Sequence, residues 1–487
     1  MIFNSLNFLV YFFVVTILYF ILPVIPRRYM LLAASCFFYM AFIPKYIFIL
    51  ALTITIDYFA GRFLEKLHKN RKIFLSLSIL SNIGLLFIFK YFNFFNENIV
   101  HIANFFNWNY PIQSLKIILP IGLSFHTFQS LSYIIEVYRG NQKAEKNFGI
   151  FALYVMFYPQ LVAGPIERPQ NMLHQFHIDH KFDLYRIADG LKLMLWGMFK
   201  KVVIADRLAL FVNQVYNNPT EHTGLSILIA TFFFSIQIYC DFSGYSEIAL
   251  GSAKVMGFNL MINFDKPYLS RSISEFWKRW HISLSTWFKD YVYIPLGGNR
   301  VSTLKVYRNL FITFLLSGLW HGANWTFILW GSINGVYLIA SRVTEKMRKR
   351  FISFLRINEK GLLHNVLQVI ITFSLTSFAW IFFRANSLSD ALVIIRRIFT
   401  GWTAGRYMSV INTVLAKIPS LSKVSFMLAF LFVFFLVIIE IIQTKIVIRN
   451  IIDKKLSYLS WFIYILGIFT VIVLGQFTQA QFIYFQF

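Results

Sequence analysis

Leu315-Leu316-Ser317-Gly318-Leu319-Trp320-His321-Gly322-Ala323-Asn324-Trp325-Thr326 lies near the centre of an apolar stretch running from Asn309 to Ala340. A lone histidine between two tryptophans, in a run long enough to cross a bilayer, is a polar group where lipid should be. It costs free energy there unless it is paired or used. Imidazole titrates near neutral pH, so His321 can take and return a proton. Gly318 and Gly322 flank it and admit another backbone or a ligand. The same pattern suits a packed histidine bonded to a neighbouring helix, and at this level both readings stand.

Outward from this stretch, apolar runs recur along the whole chain. Of its 487 residues, 57% are hydrophobic and 19% aromatic, and only 14% are charged. Soluble domains carry about 25% charged residues, so the composition predicts an all-α, polytopic integral membrane protein. At roughly 20 apolar residues per crossing, the runs fit about eleven transmembrane helices. Lys and Arg number 46 against 21 Asp and Glu, a formal charge of +25. These basic residues cluster between apolar runs, as cytoplasmic loops require, which argues against nucleic acid as a partner. Cys36 and Cys240 both lie in apolar stretches without CxxC spacing, which argues against a disulfide framework or a cysteine metal site.

The first 25 residues carry no basic n-region and no small-residue cleavage site, so they read as a retained helix. Arg27 and Arg28 put its far end in the cytoplasm and the N-terminus outside. Pro44 divides the next apolar block into two short helices. Residues 73–92 then cross outward, 93–116 form an Asn-rich outer loop, and 117–137 cross back. Further blocks fall near 147–163, 190–216, 223–240, 309–340, 363–383, 424–443 and 456–476. There is no internal repeat or low-complexity linker, so residues 1–487 read as a single membrane domain.

Residues 164–190 and 259–308 are too polar to span and too aromatic to be free loops. Within the latter, 275–291 places large apolar groups at near-helical spacing, including Trp277, Trp280 and Leu284, with Lys278, Arg279 and Lys289 elsewhere on the wheel. Trp beside Lys and Arg favours the bilayer interface. The expectation is one interfacial or re-entrant helix, which needs protein or a water-filled cavity to cover its backbone. His281 belongs to it, either as an ordinary interfacial histidine or as a partner of His321.

Two further polar constellations stand out. Tyr239-Cys240-Asp241-Phe242-Ser243-Gly244-Tyr245-Ser246-Glu247 sets two carboxylates in an apolar region, where they either orient a cavity or pair with Arg or Lys from another helix. On 120–137, His126, Gln129, Ser130 and Tyr133 share one helical face, as residues walling a protein interior do, with His126 read as a satisfied wall residue. His174, His177 and His180 are spaced by three, but no strong ligand set completes a tetrahedron, so no metal site is expected. Walker A, G-x-S-x-G, H-E-x-x-H and dinucleotide motifs are absent.

These segments together resemble the membrane-bound O-acyltransferase family, and within it the branch of the alginate O-acetyltransferase membrane subunit. The matching stretches are Leu119–Gln129, Ala163–Pro169, Asp241–Ser246, Phe276–Ser285, Pro295–Arg300, Trp320–Gly322, Phe382–Ala385 and the aromatic C-terminus ending Tyr484-Phe485-Gln486-Phe487. His126 and Glu247 depart from the usual residues of the family. The resemblance implies a ring of tilted helices around a thin centre, with a tunnel reaching an intramembrane histidine. His321 matches the family's essential histidine and His281 its second polar position. Trp320, Trp325, Asp241, Ser243, Tyr245, Gln129, Trp277, Trp280 and Arg279 then become candidates for lining the tunnel.

It further implies that an acyl group passes from a cytoplasmic thioester, such as acetyl-CoA or an acyl-carrier thioester, toward an extracytoplasmic polysaccharide. An exported acetyltransferase partner finishes the reaction in such systems, and no bound cofactor is implied. The expected location is a bacterial inner membrane, with lipid all round. His321 would serve as general base or carry the acyl group itself. Arg168, Arg271, Arg279 and Arg300 are candidates for holding a phosphorylated donor. Two alternatives remain: an acyltransferase for peptidoglycan or for teichoic acid of the D-alanyl type, and a transporter of polysaccharide or lipid precursors with no bond chemistry. The missing repeat argues against the transporter.

Overall fold

The computed structural model describes residues 1–67, 69–162, 164–400, 402, 407–418, 421–445, 457–477 and 482–483. Among them every regular element is helical, as the composition predicts. Ala163 and Tyr484–Phe487, which carry parts of two motifs, lie outside the described residues.

Among the described residues, five helices are long and apolar enough to cross a membrane unaided: Pro44–Lys66, Arg71–Phe105, Gly224–Met256, Leu362–Arg384 and Lys423–Thr444. The other apolar blocks are built from shorter or broken helices, and the breaks follow local chemistry. The 309–340 block is two helices, Thr303–His321 and Trp325–Val343. Asn324 caps the second by accepting a hydrogen bond from the Thr326 N–H at 3.0 Å, as a short polar side chain does at a helix start. His321 therefore ends a helix instead of sitting in the middle of one.

Two expectations change in the other direction. The Asn-rich 93–116 segment is not all loop, because a π turn at Phe87–Tyr91 carries the preceding helix into Phe92–Phe105. Its asparagines point their amides at backbone carbonyls, Asn93 to Leu115 at 2.9 Å and Asn98 to Phe94 at 2.7 Å. The block expected at 223–240 runs on to Met256. Asp241, the first charged residue after Tyr239, is buried and ion-paired to Lys201, so it does not end the helix.

Two compact units make up the chain: Met1–Met194 with Tyr245–Ile262, and Leu195–Gly244 with Asn263–Phe487. In the first, Gly122 and Gly140, both with positive φ (76° and 80°), bound the Leu123–Arg139 helix. Its Tyr133 packs edge-on to Gly61 of the Ile47–Lys66 helix, where a Cβ would come within 2.8 Å of the ring. Arg27 pairs with Asp179 at 2.8 Å and Arg28 donates to the His177 carbonyl at 3.0 Å. These contacts fasten the non-spanning 164–190 segment to the basic end of the first two helices. Glu167 in that segment accepts from Asn171 Nδ2 (2.7 Å) and the Met261 N–H (2.5 Å), and burial pushes its carboxyl up to about 7.

In the second unit, the helices on either side of His321 form a tight hairpin. Gly318 and Gly331 face each other across it, and a Cβ at Gly318 would lie 2.3 Å from the Phe327 carbonyl oxygen. Small residues let membrane helices approach this closely. The glycine beside the histidine is thus used by a neighbouring backbone.

Candidate active site

Residues 273–293 do not form the single helix that their spacing suggests. Ile273–Arg279 and Ile282–Phe288 are separate short helices, followed by a π turn at Lys289–Tyr293. His281 stands at the joint in the left-handed region, with φ of 43°. The freed backbone groups bond to an extended neighbour: the Asp265 N–H donates to the Arg279 carbonyl (3.0 Å) and the Ile282 N–H to the Asn263 carbonyl (2.9 Å). Asn263 also accepts from the Ser283 hydroxyl at 2.6 Å. Buried backbone must be satisfied somewhere, and here a neighbouring strand of chain replaces the missing helical bonds.

The kink turns His281 inward. Its ring centroid lies 6.5 Å from that of His321, with Trp320 beside both at 6.1 and 5.0 Å. His281 is 1% exposed and His321 4%, so both imidazoles sit in a setting that excludes bulk water. Trp330 and Phe383 meet the His321 ring nearly at right angles, at 4.9 and 5.2 Å. Phe242 does the same to His281 at 4.6 Å. Trp280 extends the wall through Trp380 (4.9 Å), which stacks on Trp330 at 5.7 Å. The aromatic rings fix both imidazoles in place, and preorganisation of this kind is what proton transfer requires.

A cavity of about 460 Å³ opens in the same unit, lined by Trp277, Lys278, Ser285, Lys289, Thr313, Phe314 and Ser317 among others. That volume is within the range of small-molecule sites. Ser317 stands one helical turn before His321, and Trp277 touches Trp330 at 5.7 Å. The cavity and His321 therefore share a wall. The indole N–H of Trp277 is buried with no hydrogen-bond partner among the described residues. Lys278 and Lys289 are exposed and add positive charge to a lining otherwise made of apolar and hydroxyl side chains.

Asp241 has a basic partner, the alternative weighed above. Lys201 Nζ lies 2.6 Å from Asp241 and 2.8 Å from Asp206, all three side chains being 5% exposed or less. Lys201 comes from the π turn Phe199–Ala205, and Gly244 lets that segment approach, since a Cβ there would meet the Gly197 carbonyl oxygen at 2.7 Å. The Ile483 N–H donates to the other Asp241 oxygen at 2.8 Å, and Phe482 packs on Phe242 at 5.7 Å. The buried charges thus hold the Asp241–Phe242 turn, and Phe242 in turn holds His281.

Of the residues singled out from sequence, His281, His321, Trp320, Trp277 and Trp280 are brought together. Asp241 and Ser243 are buried on the helix that carries Phe242. Trp325 begins its helix half-exposed, and Arg279 is ion-paired to Glu275 at 2.7 Å. Gln129 and Tyr245 belong to the first unit. There Gln129 donates to the Tyr154 carbonyl at 2.5 Å, and the Tyr245 hydroxyl accepts from the Phe3 N–H at 3.3 Å. Arg168, also in that unit, donates to the Ser132 hydroxyl at 3.0 Å, while Arg271 and Arg300 are exposed. His126 is buried with Nδ1 unpartnered among the described residues, so the wall residue is not fully satisfied. His174, His177 and His180 bond to three different groups: the Gln170 carbonyl, the Glu145 carboxylate and the Gln175 carbonyl.

Sequence reasoning passed over Lys201, Asp206, Trp330 and Trp380. The lysine carried a usable signal, a charge inside the apolar 190–216 block. The two tryptophans carried none, since nothing separates a wall tryptophan from the many other apolar residues of a membrane helix.

Residues 146–384 match the membrane-bound O-acyltransferase family. Both histidines, Asp241 and the cavity fall within that span. The chain is also 40% identical over 398 residues to a Pseudomonas aeruginosa protein named probable alginate O-acetylase AlgI, covering 80% of this chain and 73% of the relative. The chain belongs to the membrane-bound O-acyltransferase family. An Azotobacter vinelandii protein with the same name is 37% identical over 437 residues, 88% of this chain and 83% of its own. A Helicobacter pylori peptidoglycan O-acetyltransferase is 36% identical over 402 residues, 77% and 74% respectively. This membrane-bound O-acyltransferase is therefore a multi-pass membrane enzyme, and the transporter alternative falls away.

Proposed function

We propose that this acyltransferase takes an acetyl group from a cytoplasmic thioester and passes it within the membrane toward an extracytoplasmic polysaccharide, with His321 as general base. The observation that carries this reading is the pairing of His321 with His281 inside a water-excluding aromatic wall that borders the cavity. An acceptor hydroxyl gives its proton to His321 as its oxygen attacks the thioester carbonyl. The tetrahedral intermediate then collapses, the C–S bond breaks, and the thiolate takes the proton back from the imidazolium. Base catalysis of this kind is worth roughly 10²–10⁴-fold. A ring N–H of His281 is the donor for the developing oxyanion, a role that preorganised groups fill best in a dry site.

The apolar cavity with Lys278 and Lys289 suits a donor that joins a short acyl chain to a phosphorylated arm, such as acetyl-CoA or an acyl-carrier thioester. A polysaccharide acceptor, reached directly or through an exported acetyltransferase partner, is supported by the alginate and peptidoglycan enzymes among the relatives. Arg27 and Arg28, bonded to the 177–180 segment, support a cytoplasmic face there and an N-terminus outside a bacterial inner membrane. The test uses inverted membrane vesicles given acetyl-CoA labelled in the acetyl group. Wild-type vesicles should build base-labile label in lumenal material, and His321→Ala vesicles with equal protein should not. Equal labelling by both would remove His321 from the reaction.

A further inference from the structure

Between two membrane helices of the second unit, the chain leaves a basic amphipathic helix uncovered. Glu345–Phe354 follows directly on Trp325–Val343, and Leu362–Arg384 begins eight residues after it ends. The two flanking helices pack against each other. At ten residues, about 15 Å, the helix between them is too short to cross a bilayer. It therefore stays at one membrane face. None of its residues is buried.

Met347, Phe351 and Phe354 are 70%, 63% and 82% exposed, and at 100° per residue they fall within about 60° of one another on the helix. Val343 and Leu355 extend the apolar surface at the two ends. Lys346 and Arg350 edge this stripe on one side and Arg348 on the other, while Glu345, Lys349 and Ser353 lie opposite it. An apolar stripe edged by cations on both sides matches a bilayer interface, where the apolar groups enter and long basic side chains reach up to the phosphates.

The charge distribution separates lipid from a soluble acidic partner. Residues 342–360 carry seven Lys and Arg against two Glu. On the side facing away from the stripe the charge is already cancelled, since Lys349 pairs with Glu345 at 2.6 Å. Lys346 and Arg350, which border the stripe, make no ion pair among the described residues. Arg348 donates from one amine to the Ser341 carbonyl at 2.6 Å and keeps its full charge. The uncompensated cations thus lie where the apolar side chains do.

We propose that the Glu345–Phe354 helix is a docking surface for anionic phospholipid. Met347, Phe351 and Phe354 enter the boundary between headgroups and acyl chains, and Lys346, Arg348 and Arg350 gather phosphate-bearing headgroups of net negative charge along its edges. The proposal is independent of the acetyl-transfer reading, since it concerns the lipid around the enzyme and not the group transferred.

The test uses the full-length protein in a background lacking Cys36 and Cys240, with Met347→Cys carrying a fluorophore, in nanodiscs of phosphatidylcholine and phosphatidylglycerol. Two preparations hold the same lipid composition and the same small fraction of spin-labelled lipid, as phosphatidylglycerol in one and phosphatidylcholine in the other. Spin-labelled phosphatidylglycerol should quench the probe at least two-fold more strongly. Adding Lys346→Gln, Arg348→Gln and Arg350→Gln, all at exposed positions, should remove most of that excess, as should high salt. Equal quenching by the two lipids overturns the proposal, and so does an excess that survives the triple substitution. Quenching by neither lipid overturns it too. If an added apo acyl-carrier protein then shields the probe from iodide, the surface belongs to an acidic protein. Shielding that appears only with two copies per nanodisc assigns it to a second copy of the chain.

Discussion

His281 occupies a backbone conformation that suits few residues. With φ of 43° it sits in the left-handed region, which costs most side chains roughly 1–2 kcal/mol and which asparagine tolerates. His281→Asn should keep the kink and fold with nearly normal stability while losing activity. His281→Val should unfold about 1–2 kcal/mol more easily than the asparagine variant, as read by thermal unfolding in detergent. Lys201 makes a second test at this scale. Replacing it by methionine leaves Asp206 and Asp241 buried without their cation, at a cost of about 3–5 kcal/mol. Adding Asp206→Asn and Asp241→Asn should restore most of the yield of folded protein, measured by size-exclusion profile. His321 stands out in the sequence as a lone imidazole in an apolar run, and the structure buries it beside His281. The role of Asp241 was less legible, since its partner lies forty residues earlier and only folding joins them.

At the scale of elements, the sequence pattern locates apolar blocks well and their internal breaks poorly. The 309–340 block reads as one apolar run because Gly322 and Asn324 are too few to interrupt its hydrophobicity, yet they end one helix and cap the next. The 275–291 stretch misleads in the same way: side-chain spacing survives a kink whose cause, pairing with the Asn263–Asp265 backbone, is distant in sequence. Long continuous spans such as Leu362–Arg384 were read closely, because length and composition alone decide them. The hairpin around His321 depends on contact between Gly318 and Gly331. Gly318→Ala places a Cβ against the Phe327 carbonyl and should cost about 1–3 kcal/mol. Gly84→Ala, where nothing lies within 4 Å of the new carbon, is the control in the same unfolding measurement.

For the whole molecule, composition already points to the class, and the proposed orientation rests on the basic clusters. In a background lacking Cys36 and Cys240, a cysteine at Ser5 should react with an impermeant maleimide in intact cells. One at Lys349, in the basic Glu345–Phe354 helix, should react only after the membrane is opened. The reverse pattern would invert the topology and put the donor on the wrong side. The central claim, however, is acyl transfer through His321. Its most direct test is the base-labile acetate released from the purified cell envelope of the native host, compared between wild type and His321→Ala at matched membrane expression. Transfer through His321 predicts that the variant falls to the level of a deletion strain. Acetate equal to wild type would contradict it.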